Sequence, residues 1–140
     1  MQKKKKRLMG KKSRAAGARF ELKVRNALES EGWIVDKWSN NVDLDEKKLI
    51  KARRKYNPFK RVLGIGTGFP DFIVFRQKGK NYEIVGIEVK TGGNLDKVEK
   101  EKCRWYLDNK IFSKIKIAKP ERAGRRINVQ YIDFGKKYKK

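Results

Sequence analysis

Two apolar runs joined by a short turn constrain this chain more than any other feature. Phe72, Ile73, Val74 and Phe75 are consecutive, and Tyr82 to Lys90 carries Ile84, Val85, Ile87 and Val89. A continuous apolar run of this kind is the pattern of a strand covered on both faces, and Gly79 supplies the turn between the two. The fold class that accommodates such a pair is α/β, with a mixed central sheet flanked by α-helices.

The rest of the chain supplies those layers. From Ser13 to Glu31, Phe20, Val24, Ala27 and Leu28 recur at helical spacing, with Ser13 as a cap and Gly32 as the stop. Trp33 to Trp38 alternates as a strand. Leu95 to Asn109 places Val98, Trp105 and Tyr106 at helical spacing, and short strands follow at Lys114 to Ala118 and Ile127 to Phe134. Between Asn40 and Gly68 the pattern predicts an insertion: a basic helix over Asp43 to Tyr56, then a loop punctuated by Asn57-Pro58 and by Gly64, Gly66 and Gly68. The expected order is αβ(α)ββαββ in one domain over 15–135, with the insertion at about 40–69, a flexible basic arm at 1–14 and a basic tail at 136–140.

Charge narrows the partner. Lys and Arg number 39 against 16 Asp and Glu, a net charge of +23 that repels itself unless a polyanion neutralises it. Nucleic acid is the natural partner, although a solvated surface or a ribosomal-type protein would carry similar charge. There is no histidine and one cysteine, Cys103, so a Cys/His zinc site and a disulfide framework are both excluded, and any metal must be held by oxygen. Cys103, without a histidine to activate it, reads as a core residue. No apolar stretch follows the basic start and none is long enough for a membrane span, which predicts a cytoplasmic protein without a membrane partner. The glycines at 64, 66 and 68 lead into a strand with no Gly-Lys-Ser/Thr, so no nucleotide cofactor is expected.

One constellation carries chemistry. Glu88 and Lys90 are two apart in a strand and share a face. With the hairpin turning at Gly79 and Lys80, Asp71 falls directly opposite Glu88, and facing carboxylates about 4.5 to 5.5 Å apart at Cβ repel unless a cation lies between them. Magnesium suits this donor set, with Asp71, Glu88 and the carbonyl of Val89 as three ligands and manganese as a substitute. The chemistry that follows is phosphodiester hydrolysis, in which the metal neutralises the phosphate and acidifies a water while Lys90 orients that water or stabilises the transition state. The alternative for Asp71, Glu88 and Lys90 is a salt bridge on a sheet. Glu21, at the border of the apolar stripe of its helix, faces the sheet or pairs with a lysine. Arg53, Arg54, Lys55 and Lys60, around Tyr56, either grip a DNA backbone or belong to a solvated helix; Lys102 is a surface or phosphate-binding residue.

Gly68-Phe69-Pro70-Asp71 followed by Ile87-Glu88-Val89-Lys90-Thr91-Gly92 resembles the PD-(D/E)XK nuclease superfamily. Gly17-Ala18-Arg19-Phe20-Glu21, leading through Val24 and Leu28 to Gly32-Trp33, resembles the first helix of its archaeal Holliday-junction resolvases. The resemblance implies a restriction-endonuclease-like sheet and a structure-specific endonuclease acting on branched DNA. It also implies catalysis by Glu21, Asp71, Glu88 and Lys90, with Glu21 in the metal environment, and a homodimer whose seam is sought among exposed aromatic residues on the later strands. The Gly-x-Pro-Asp and Val-Lys-Thr-Gly-Gly wording is also similar to the virus-type replication-repair nucleases, which implies a flap or nicking repair enzyme. That branch often has a glutamine on the following helix where this chain has Lys102. A non-catalytic nucleic-acid-binding protein on the same fold is the remaining alternative.

Overall fold

The structure is a computed structural model that describes residues 2–52, 55–57, 62–64 and 68–139, with side chains over 14–52 and 68–139. The candidates Arg53, Arg54 and Lys60 lie outside the described residues, and Lys55 is described in its backbone alone.

The first helix, α1, runs over Gln2–Ser30, so the backbone of the segment expected as an arm is helical and Ser13 lies inside the helix instead of capping it. Lys, Arg, Leu, Met and Ala are all good helix formers, and no proline intervenes. The end matches the expectation: Gly32 has φ +93°, its N–H reaches Glu29 O at 3.1 Å and the Trp33 N–H reaches Leu28 O at 3.1 Å. This double closure needs a left-handed residue, which glycine supplies without strain.

Five strands form one mixed sheet in the order β1 (Ile34–Lys37), β6 (Phe72–Lys78), β7 (Asn81–Val89), β8 (Lys114–Ala123) and β9 (Arg126–Asp133). Every neighbouring pair is antiparallel except β7 and β8, which are parallel and joined through α2 (Lys97–Asp108). Phe72 pairs with Ile87 and Lys78 with Asn81, the register implied by a turn at Gly79 and Lys80. Asp96 caps α2 in a reciprocal box: its side chain accepts from Glu99 N, while Asp96 N donates to the Glu99 side chain. A last short turn, α3 (Phe134–Lys137), buries Phe134.

The helices cover opposite faces of this sheet. Under α1 lie Phe20, Val24, Leu28, Trp33, Val35, Phe72, Val74, Val85, Ile87 and Ala118. On the other side α2 supplies Cys103 and Tyr106 to a cluster with Phe69, Phe112, Ile115, Ile117 and Phe134. Among the described residues no helix is long and apolar enough to cross a membrane.

The expected helix over Asp43 to Tyr56 is replaced by strands. Within that region β2 (Asn40–Asp43) pairs with β3 (Lys48–Lys51), and β4 (Lys55–Asn57) pairs with β5 (Val62–Gly64). The reason is turn chemistry. Asp43 Oδ1 accepts from the N–H groups of Asp45 and Glu46, and Lys47 takes φ +52°, so the Asp-Leu-Asp-Glu-Lys segment closes a hairpin without a glycine.

Candidate active site

The site is assembled at the end of β7, where two backbone hydrogen bonds and one from a side chain aim Asp71 at Glu88. Phe69 N donates to Asn40 O at 2.9 Å and Trp38 N to Asp71 O at 3.1 Å, which holds the segment before β6 against the chain leaving β1. Gly68 makes that approach possible: a Cβ there would lie 2.2 Å from Trp38 O and 2.7 Å from Asn40 O. From the other side Tyr106 Oη donates to Phe69 O at 2.6 Å and accepts from Trp38 Nε1 at 3.1 Å. Gly86 completes the fit, since a Cβ on it would meet Pro70 Cγ at 3.0 Å.

Asp71 and Glu88 then latch reciprocally. Val89 N donates to Asp71 Oδ2 at 2.8 Å, and Asp71 N donates to Glu88 Oε1 at 3.2 Å. Glu88 is 5% exposed and is the one buried acidic or basic side chain among the described residues. Burial, followed by a side-chain hydrogen bond to Asp71 and that residue's charge, pushes the Glu88 carboxyl far above the ordinary carboxylate range. The raised pKa favours the neutral acid beside Asp71, which relieves the repulsion of facing carboxylates; a divalent cation held there would relieve it too. The donor set, hard oxygens with no sulfur or imidazole, fits magnesium or manganese.

Lys90 Nζ lies 3.7 Å from Glu88 Oε2 and 2.5 Å from Glu99 Oε2. Burial alone would lower its pKa, but hydrogen bonding to Glu99 and the charges of Glu88, Glu99 and Asp71 outweigh it and hold the ammonium above its ordinary value. Lys90 is thus a fixed cation. Glu99 is the residue that sequence reasoning missed: its Oε1 closes the cap of α2 while its Oε2 holds Lys90. The signal was present as Asp96-x-x-Glu99, a capping box that fixes where the glutamate points.

Glu21 comes from the opposite layer. It is partly buried and lines an open cleft of about 280 Å³ with Arg25, Lys37 and Phe72. Its pKa is raised, first by burial and then by the charge of Asp71, with Lys37 opposing. The structure therefore brings Glu21 within electrostatic reach of Asp71. Among the described residues no three Asp, Glu or Cys side chains close around a common point.

The remaining candidates separate. Lys102 Nζ lies over the Phe69 ring, 5.8 Å from its centroid, and borders a cavity of about 700 Å³ between the β2–β3 hairpin and α2 that contains none of the acids of the site. Cys103 is fully buried, and its thiol is pushed up to about 12 chiefly by burial, which removes it as a nucleophile. Exposed apolar residues lie on the earlier strands as well: Ile34, Tyr82 and Ile84, with Ile73 and Phe75, line a hollow of about 460 Å³ on β1, β6 and β7.

Compared with known proteins, the chain matches no family model, no curated protein and no solved structure.

Proposed function

We propose that the chain is a divalent-metal-dependent DNA endonuclease of the PD-(D/E)XK kind, on a restriction-endonuclease-like sheet, with Asp71, Glu88 and Lys90 as its catalytic residues. The observation that carries this reading is the reciprocal latch of Asp71 and buried Glu88 beside a lysine held as a cation. A structural salt bridge alone does not account for it, because buried Glu88 faces a second acid, Asp71, at a cost in stability that a simple acid–base pair would not carry.

A cation held by Asp71, Glu88 and the Val89 carbonyl would supply positive charge to a phosphodiester and acidify the attacking water. Lys90, kept protonated by Glu99, serves as a fixed positive charge for the phosphate as negative charge builds on it, and not as a proton acceptor. Glu99 positions Lys90. Glu21 is assigned the outer part of the same environment, where burial and the charge of Asp71 raise its pKa. The net charge of +23 supplies the attraction to the polyanion.

By its resemblance to archaeal Holliday-junction resolvases, the substrate is assigned as branched DNA and the enzyme as a homodimer, for which the apolar hollow on β1, β6 and β7 is an exposed surface open to a second copy. A flap or nicking repair enzyme of the virus-type replication-repair kind is the second reading, favoured by the two structural glycines of its wording. Gly68 has no room for a Cβ, and Gly93 takes φ +79°.

The test is cleavage of labelled four-way junction, flap, single-stranded and plain duplex DNA by the wild type and Asp71→Asn, with magnesium or with chelator. Paired metal-dependent nicks in the junction that vanish in Asp71→Asn are expected. Cutting confined to flaps or nicks selects the second reading, and tight binding without any cutting overturns the enzyme.

A further inference from the structure

The β8–β9 hairpin outgrows the sheet at the edge where the site lies. β7 ends with Val89 paired to Ala118, but β8 and β9 continue together through five more pairs, Lys119↔Gln130 to Ala123↔Arg126. At about 3.3 Å per residue this ribbon reaches roughly 16 Å past the last strand beside it. Every residue from Glu121 to Asn128 is exposed.

Its two faces differ. Pro120, Val129, Arg122 and Ile127 continue the face of Ala118 and Tyr131, and Ile127 borders a small hollow with Ala16, Arg19, Phe20 and Lys23 of α1. The other face carries Lys119, Gln130, Glu121, Asn128 and Arg126, with Ala123 as its one apolar residue. Lys119 joins this face to the site: its Cδ sits 3.2 Å from where a Cβ of Gly93 would be, over the turn that follows Lys90. Over 119–130 four cations, Lys119, Arg122, Arg125 and Arg126, face the single acid Glu121.

A projection that buries so little and concentrates like charges at its tip is unfavourable on its own and favourable against a polyanion. We propose that this ribbon is a DNA-binding arm that enters the major groove of duplex DNA beside the Asp71–Glu88 site. It rests on the nuclease reading for what it positions, but not for the binding itself. The B-form major groove, about 12 Å wide and 8.5 Å deep, admits a two-stranded ribbon. The deep, narrow major groove of duplex RNA does not. Arginine, asparagine and glutamine are the side chains that contact phosphates and base edges there.

Binding is measured in the Asp71→Asn protein by fluorescence anisotropy with a short labelled DNA duplex, so that cleavage does not enter. Arg125→Ala/Arg126→Ala is expected to weaken binding about tenfold at near-physiological salt and to lower the slope of log affinity against log salt by about two. Lys119→Ala/Arg122→Ala, which shares no residue with it, serves as an independent pair. Lys78→Ala/Lys80→Ala removes the same charge at the opposite end of the sheet and is expected to stay within about twofold. Equal losses in ribbon and control variants, no loss in either, or duplex RNA bound as tightly and lost in parallel would overturn the arm. Cleavage by otherwise wild-type protein is followed alongside: ribbon-dependent binding without cleavage leaves the arm standing and sinks the nuclease, while cleavage with ribbon-independent binding does the reverse.

Discussion

Two tyrosines show how differently the two sides of the sheet are built. Tyr106 of α2 and Tyr131, on the face that α1 covers, both have phenols pushed up to about 12 by burial. The Tyr106 hydroxyl is satisfied twice, donating to Phe69 O and accepting from Trp38 Nε1. The Tyr131 hydroxyl is buried and finds no partner among the described residues. The α1 side is an apolar seal, in which shape and volume decide stability. On the α2 side polar fixings aim one segment, Gly68 to Asp71, so that its carboxylate meets Glu88. Activity should therefore depend on the α2 side far more than stability does.

The sharpest way to break this contrast is Glu88→Gln. The amide keeps the shape and still accepts from Asp71 N, but it no longer supplies a charged oxygen. Cleavage is expected to fall by about 10³-fold, a magnitude typical of lost transition-state electrostatics. The melting temperature in chelator is expected to hold or rise, because a neutral group replaces a buried acid. A loss of several degrees would mean that Glu88 is a structural residue.

Gly68→Ala attacks the segment itself. With Trp38 O at 2.2 Å from the new Cβ, backbone must move, and a destabilisation of about 3 kcal/mol by urea unfolding is expected together with loss of cleavage. Unchanged stability would show that the segment tolerates displacement and that its glycine is not there for the close approach.

A third measurement uses pH. In chelator, folded Glu88 keeps a proton that the unfolded chain releases near the ordinary value of 4.5. Its folded pKa is raised, so its stabilising contribution is complete below that ordinary value and is lost as pH rises toward the folded one. Each pH unit in this window costs up to about 1.4 kcal/mol for the one proton involved. Glu88→Gln lacks this proton, so the stability of the wild type is expected to fall relative to the variant between about pH 5 and 8. Parallel curves would show that the acid pair holds no such proton.

The comparison also explains what was legible in the sequence. The hairpin register followed from one turn, because strand pairing propagates from Gly79 and Lys80 without further information. The core positions of α1 followed from periodicity, since Phe20, Val24 and Leu28 sit on one face. The α2 side was less legible because its fixings are long-range: Tyr106 reaches Phe69, Gly68 meets Trp38, and Glu99 finds Lys90 only after the sheet has formed. The β2–β3 hairpin was misread as helix because its lysines favour helix locally while its turn is closed by the Asp43 side chain instead of by glycine. β8 runs on past the short strand expected at Lys114 to Ala118 and includes Pro120, a residue that does not fit the interior of a sheet. Beyond Ala118, however, β8 has a neighbour on one side only, the position in a sheet where proline fits.

The smallest effects discriminate best between the two sides, because the same atom is removed from each. Tyr106→Phe leaves the Phe69 carbonyl and the Trp38 indole N–H without their shared partner, and a loss of about 1 to 2 kcal/mol is expected. It should also slow cleavage, since the segment bearing Asp71 loses its anchor. Tyr131→Phe removes a hydroxyl that is already unsatisfied, so a change within about 0.5 kcal/mol, or a slight gain, is expected with cleavage unaltered. Urea unfolding of both variants and the double variant gives the comparison directly, and the two effects should add because the residues lie on opposite faces of the sheet. Equal losses from the two tyrosines would mean that the α1 side is polar-fixed too, and the division of labour between the faces would fall.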